Sequence, residues 1–164
     1  MDMKASHSLS GTETGNPAYL VYEDVPLYDL WLKLILGGVL ALTLIPGIAL
    51  LSVDITGTWV MLGATAFDVL LFYAILPRRY QIFQDKVRIV LGQPFAFNIS
   101  LSVIKEGRQA SGSKAFAYRG IRFATSSRSV VEIVRHKGLN VVISPSDRDM
   151  FLEQLNQALK AMPD

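Results

Sequence analysis

Asp68 is the one charged side chain in the eighteen residues from Trp59 to Leu76. A charge in mid-span costs about 2.5–3.5 kcal/mol on insertion scales, so such a residue marks ion or proton handling, or a polar contact between helices. Counting inward from the polar break before Trp59 puts Thr43 of the preceding apolar run at a similar depth. A Thr43–Asp68 hydrogen bond, or a contact with another subunit's helix, is the simpler chemistry, because no second intramembrane acid or base accompanies Asp68.

Other chemistry is sparse. The chain has no cysteine, which excludes disulfides, thiolate nucleophiles and zinc–sulfur sites. Its two histidines, His7 and His136, stand in unlike contexts, so no histidine-rich metal site is expected. Gly107 to Lys114 nearly imitates a phosphate loop, but the order Gly112-Ser113-Lys114 departs from Gly-Lys-Ser/Thr and no helix follows. No nucleophile is paired with a base, and no carboxylate pair emerges. The expectation is a protein that is not an enzyme, without cofactor, metal or small-molecule substrate. The remaining candidate is a basic set, Lys86, Arg88, Arg119, Arg122, Arg128, Arg135 and Lys137. These could form one face for anionic lipid or a partner, or simply a solvated surface.

The elements that position these residues begin with two apolar runs. Leu34 to Val53 has no charge over twenty residues, and Trp59 to Leu76 has only Asp68. The bilayer's apolar core is about 30 Å thick and a helix rises about 1.5 Å per residue, so each run is long enough to span it. The link Asp54 to Thr58 is too short for a domain, which predicts a helical hairpin over residues 26–77 with spans at about 34–53 and 59–76. Pro46-Gly47 would kink the first span. Gly63, Ala64 and Ala66 would let the second approach another helix closely. Tyr28, Trp31, Trp59, Arg78, Arg79 and Tyr80 stand where headgroup-layer anchors belong. Pro26 and Asp29 suit the first turn of the first helix.

Residues 1–25 read as a disordered or irregular tail; the first eighteen are mostly small and polar, and no apolar core suited to a signal peptide begins before residue 30. Residues 78–164 read as one domain. Tyr80 to Phe83, Val87 to Leu91 and Phe95 to Leu101 alternate with period two, followed by strands at Val103–Lys105, Ile121–Thr125, Val130–Arg135 and Leu139–Ile143, with a loop over 107–114. The pattern predicts an antiparallel sandwich or barrel. Ser146 would cap a closing helix whose apolar stripe is Phe151, Leu152, Leu155, Leu159 and Met162.

Charge is unevenly shared. The net charge is −3 over residues 1–33 and +7 over residues 78–164. Lys33 precedes the first span and Arg78-Arg79 follow the second, while the link has no positive charge. The positive-inside rule then puts both termini in the cytoplasm of a cell that carries the protein in its inner or plasma membrane. A basic domain held there favours anionic headgroups. No nucleic-acid motif is present.

About seven strands closed by one C-terminal amphipathic helix resembles a pleckstrin-homology domain. The stretches RRYQIFQDKVRIVLG, FATSSRSVVEIVRHKG and VVISPSDRDMFLEQLNQAL resemble bacterial PH-like domains, in which a two-helix hairpin often precedes the domain. The resemblance covers residues 31–162. It implies an α+β fold, with a transmembrane hairpin followed by a helix-capped β-barrel or sandwich. The leading expectation is a membrane-anchored interaction module, a scaffold or an accessory subunit whose hairpin packs on a larger assembly through Asp68, Gly63, Ala64 and Ala66, with the lipid bilayer, a membrane protein or a second copy as partners; the alternative is a sensor of anionic headgroups through the basic face. The first hairpin offers Lys86 and Arg88 beside Asp85 on a short turn, which departs from the Lys then Arg-x-Arg cluster of inositol-phosphate-binding members.

Overall fold

The computed structural model describes residues 19–161. The tail expected over residues 1–18 and the stripe residue Met162 lie outside them. Two long helices come first: α1, Leu30–Ala49, extended by a 3-10 turn Leu50–Ser52, and α2, Ile55–Ile75. Only 6% of each apolar stretch is buried, so neither is the core helix of a soluble domain. Both are long and apolar enough to cross a membrane. Proline is accommodated inside α1 at Pro46, and the next residue, Gly47, lies against Met61 and Leu62 of α2. The break between the helices is shorter than the expected Asp54–Thr58 link. Asp54 caps α2 by accepting the Thr56 N–H at 3.0 Å, and the Thr58 hydroxyl donates to the Asp54 carbonyl at 3.0 Å, so helix begins at Ile55.

The rest is α+β. Strand β1, Leu20–Asp24, precedes the hairpin, and β2, Arg79–Phe83, β3, Lys86–Val90, and β4, Ala96–Ser100, follow it. Together they form an antiparallel sheet in the order β1-β2-β3-β4. The second sheet contains β5, Ile104–Gln109, β6, Ile121–Arg122, β7, Val131–Arg135, and β8, Val141–Ile143, in the order β5-β7-β8-β6. Helix α3, Arg148–Lys160, closes the chain. The seven strands after the hairpin match the number expected, but the two sheets stay separate and close no barrel. The β6–β8 pair is parallel, against the antiparallel expectation, because β6 enters from a long loop rather than a hairpin.

One core joins both sheets to α3. Tyr80, Ile82, Val87, Ile89 and Ile99 meet Val131, Ile133, Val141 and Ile143, with Phe151 and Leu155 from the helix. Alternation puts Tyr80 on this inner face, so it is fully buried and is not a membrane-boundary anchor. Its hydroxyl donates to the Phe123 carbonyl at 3.0 Å, and burial raises its pKa. The loop expected over 107–114 begins later, since Gly107 pairs with Ile133 inside β5. A Cβ at Gly107 would lie 2.6 Å from the Leu155 side chain, so the glycine lets α3 settle on the strand. Asp147, rather than Ser146, caps α3 by accepting the Met150 N–H at 3.0 Å.

Residues 20–24, expected in an irregular tail, are an edge strand because β2 offers them a ladder. The segment after β1 is stitched to the domain. Pro26 bridges Pro145, Leu27 donates to the Ser144 carbonyl at 2.9 Å, and the Thr125 hydroxyl donates to the Leu27 carbonyl at 2.6 Å. Pro26 therefore sits before the first helix, not in its opening turn. Asp29 is the residue flanking α1 and gives it no side-chain cap. At the other end of the hairpin, the Tyr28 hydroxyl donates to the Pro77 carbonyl, and the Arg78 N–H donates to the Val90 carbonyl at 2.7 Å.

The loop after β3 packs hard on α2. A Cβ at Gly92 would lie 2.0 Å from the Tyr73 carbonyl oxygen, a backbone atom that cannot swing aside. Gly92→Ala must push the loop off the helix, at about 2 kcal/mol or more by analogy with overpacked cores. Thermal melting of the full chain in mild detergent should show the loss; an unchanged melting point would contradict this packing.

Candidate anion-binding groove

Strand register builds the site. Gln81 pairs with Arg88 and with Glu23, and Arg79 pairs with Val90. Side chains alternate across a sheet, so Glu23, Arg79, Gln81, Arg88 and Val90 share the outer face, opposite the core. The end of α2 and the segment before α1 supply the walls. The result is an open groove of about 770 Å³, lined by Tyr28, Arg78, Arg79, Gln81, Arg88 and Gln93 among others. Because Tyr28 and Tyr73 lie at the domain ends of the two apolar helices, the groove opens where those helices meet the domain.

Three guanidiniums converge here, and one carboxylate answers them. Glu23 accepts from Arg79 at 3.0 Å and from Gln81 at 2.5 Å. Arg78 lies over the Tyr73 ring, 4.1 Å from its centroid. That contact fixes the guanidinium and leaves its hydrogen-bonding edge unused. Among the described residues neither Arg78 nor Arg88 forms an ion pair. Burial raises the pKa of Tyr28, against a lowering by Arg78, so the phenol stays a neutral donor to Pro77. An anion with several acceptor oxygens matches this donor set, because arginine offers paired N–H groups to phosphate or carboxylate.

The expected basic set divides. Lys86 and Arg88 lie on β3, whereas Arg122 and Arg135 lie on the second sheet, so sequence order alone could not group them. Lys86 stands 3.5 Å from Asp85. Arg122 donates to the Ala115 and Phe116 carbonyls, and Arg135 to the Leu139 carbonyl. Arg128 lies 3.9 Å from Asp29, and Arg119 and Lys137 are exposed in loops. Only Arg88 of that set reaches the groove, where it joins Arg78, Arg79 and Tyr28 from the boundary set. Of the other boundary residues, Trp31 stacks on Phe116 with centroids 4.8 Å apart, and Trp59 is exposed at the far end of α2.

In the hairpin, the Thr43 hydroxyl lies 3.5 Å from the Asp68 carboxylate and 3.2 Å from the Leu40 carbonyl, so its one proton has competing acceptors. The Thr65 hydroxyl approaches Thr43 at 3.0 Å. Asp68 is half-buried and has this one contact at the limit of a hydrogen bond.

Among the described residues three carboxylates are buried, Glu132, Asp29 and Asp24, and sequence order foretold none of their partners. Glu132, 2% exposed on β7, accepts from Arg108 at 2.9 Å, Lys114 at 2.7 Å, Tyr118 at 2.5 Å and Asn140 at 3.4 Å. A lone charge inside the apolar run VVEIV was the available signal. Burial alone would raise its pKa, but these donors outweigh burial and hold it at about 2. Tyr118 is pushed up to about 12, by burial first and then by its bond to Glu132. A carboxylate so fully occupied is a structural clasp, not a base. Asp29, 7% exposed, is the second, and its place beside the first helix points to a dipole contact rather than to burial; Asp24, 8% exposed, is the third and accepts the Asp147 N–H at 3.0 Å.

Because Glu132 titrates near 2 in the fold against an ordinary 4.5, its stabilisation is complete above about pH 4.5 and fades as the pH falls toward 2. Glu132→Gln should lower stability at neutral pH by about 1.5–3 kcal/mol, the range for hydrogen bonds to charged groups. It should also flatten the acid limb of the stability profile. Chemical denaturation across that pH range checks both effects. Comparison with family models, with curated proteins and with solved structures finds no match to this chain.

Proposed function

We propose that this chain is a non-enzymatic, membrane-anchored module that binds anionic headgroups in its arginine groove. The hairpin crosses the bilayer twice and holds the β-domain against the inner leaflet, with both termini cytoplasmic. The observation that carries this reading is the convergence of Arg78, Arg79 and Arg88 in one groove, opposed by Glu23 alone, beside the end of an apolar helix. Lys33 before α1 and Arg78-Arg79 after α2 support the orientation. Seven strands followed by an amphipathic helix support kinship with the PH-like modules, although the open sheets weigh on that point.

Each well-placed arginine contributes about 1 kcal/mol near an anionic surface. Replacing Arg78, Arg79 and Arg88 together by Gln should therefore weaken retention of phosphatidylglycerol by roughly a hundredfold. The measurement uses the full chain in nanodiscs of graded phosphatidylglycerol content, with bound lipid quantified after exchange into neutral detergent. Retention should also fall with salt. Equal retention by the variant would remove the groove from the reading.

Asp68 favours a second reading, assembly through the hairpin. A half-buried carboxylate with one contact at 3.5 Å is an incomplete partnership for a group placed in lipid. A membrane-protein partner or a second copy would complete it, as in an accessory subunit. Asp68→Leu should then weaken association by about 0.6–2 kcal/mol. An unchanged oligomer distribution and unchanged co-purifying subunits on a native gel would discard it.

A further inference from the structure

The loop between β3 and β4 has two faces. On one side Gln93 lines the arginine groove. On the other, Phe95 joins Ala74, Ile75, Leu91 and Phe123 around a second groove of about 320 Å³, whose five lining residues are all apolar. Leu91 lines both, so the two grooves meet at that side chain. The loop holds its shape through Leu91 N–H to the Phe95 carbonyl at 3.0 Å and Phe95 N–H to the Gly92 carbonyl at 2.7 Å. Gly92 presses it onto Tyr73.

An apolar groove of this kind is costly in water. Phe95 is 55% exposed, and Ile75 is 51% exposed in the last turn of α2. Below them the outer surface of α2 continues as Leu70, Leu71 and Phe67, all exposed and apolar. The groove is thus the upper end of a surface that hydrocarbon would cover, and it adjoins a site that asks for an anion. One molecule answers both demands: a charged phosphate joined to an acyl chain.

We propose that the ligand of the arginine groove is a diacyl anionic glycerophospholipid that straddles this loop. Its phosphate sits on the Gln93 side with Arg78, Arg79 and Arg88, and one acyl chain lies on the Phe95 side against Ile75 and Phe123. This rests on the headgroup-binding reading above and adds the chain as a recognised part. The apolar groove then selects for anionic lipid, because the lipid's charge determines which chain enters it.

The test uses the full chain in nanodiscs with Trp31 and Trp59 replaced by Phe and the single indole introduced by F95W. Phosphatidylglycerol or phosphatidylcholine brominated along the acyl chain is added at equal mole fraction. Quenching should be at least threefold stronger with the anionic lipid, and this preference should vanish when Arg78 and Arg88 are also replaced by Gln. A second variant, F95S, retains every arginine, and its retention of unlabelled phosphatidylglycerol should fall at least threefold without a change in melting temperature. Equal quenching by both lipids, no quenching, or undiminished retention by F95S overturns the proposal. If retention still depends on the arginines in that case, the headgroup reading stands without the chain. If retention ignores the arginines, both fall.

Discussion

The structure depends on a carboxylate that has left its own helix. Asp29 stands where a helix cap belongs, yet it accepts from the Ser126 hydroxyl at 2.7 Å, the Ser127 N–H at 2.7 Å and the Ser127 hydroxyl at 2.9 Å. Burial would raise its pKa, and these donors outweigh it, holding the carboxyl below its ordinary value. The Asp29 N–H adds a bond to the Thr125 carbonyl at 3.1 Å. The start of α1 is thereby fixed to a loop of the second sheet, about a hundred residues away in sequence. The same segment carries Tyr28 and Pro26, which wall the arginine groove. Without this attachment the groove would keep only the wall that α2 supplies.

The two polar clusters of the domain contrast in how completely they are satisfied. Glu132 has one donor for nearly every lone pair, so it stabilises the second sheet and has nothing left to offer a ligand. The groove has the opposite balance, with more cationic donors than acceptors. An unmet donor at a surface costs little because water serves it, and that makes it free to exchange water for an anion. Position separates the two as well. The clasp stiffens the second sheet, while the groove lies on the outer face of the first, along its joint with the hairpin.

Local periodicity made much of this legible. The two apolar runs, the alternation from Tyr80 to Leu91 and the stripe Phe151-Leu155 each carry their element in their own composition. What was not legible depends on register and on distant chain. Arg79 and Arg88 share a face only because Gln81 stands opposite Arg88. Tyr80 looks like a boundary tyrosine until strand parity turns it inward. Leu20–Asp24 has no pattern of its own and is a strand because β2 has a free edge. The open sheets likewise follow from pairing rather than from strand count, which the sequence conveys more readily than closure.

The ladder between β1 and β2 has a further meaning for biogenesis. Its two strands are separated in the chain by the whole hairpin, with Asp24 opposite Tyr80. The first sheet can be completed only when the segments flanking the hairpin have come to one side. A polypeptide leaving the ribosome must therefore complete both helices before its first strand finds a neighbour, so this sheet is finished only after the hairpin has been made. A fragment starting after α2 would expose the raw edge of β2 and invite pairing with other chains.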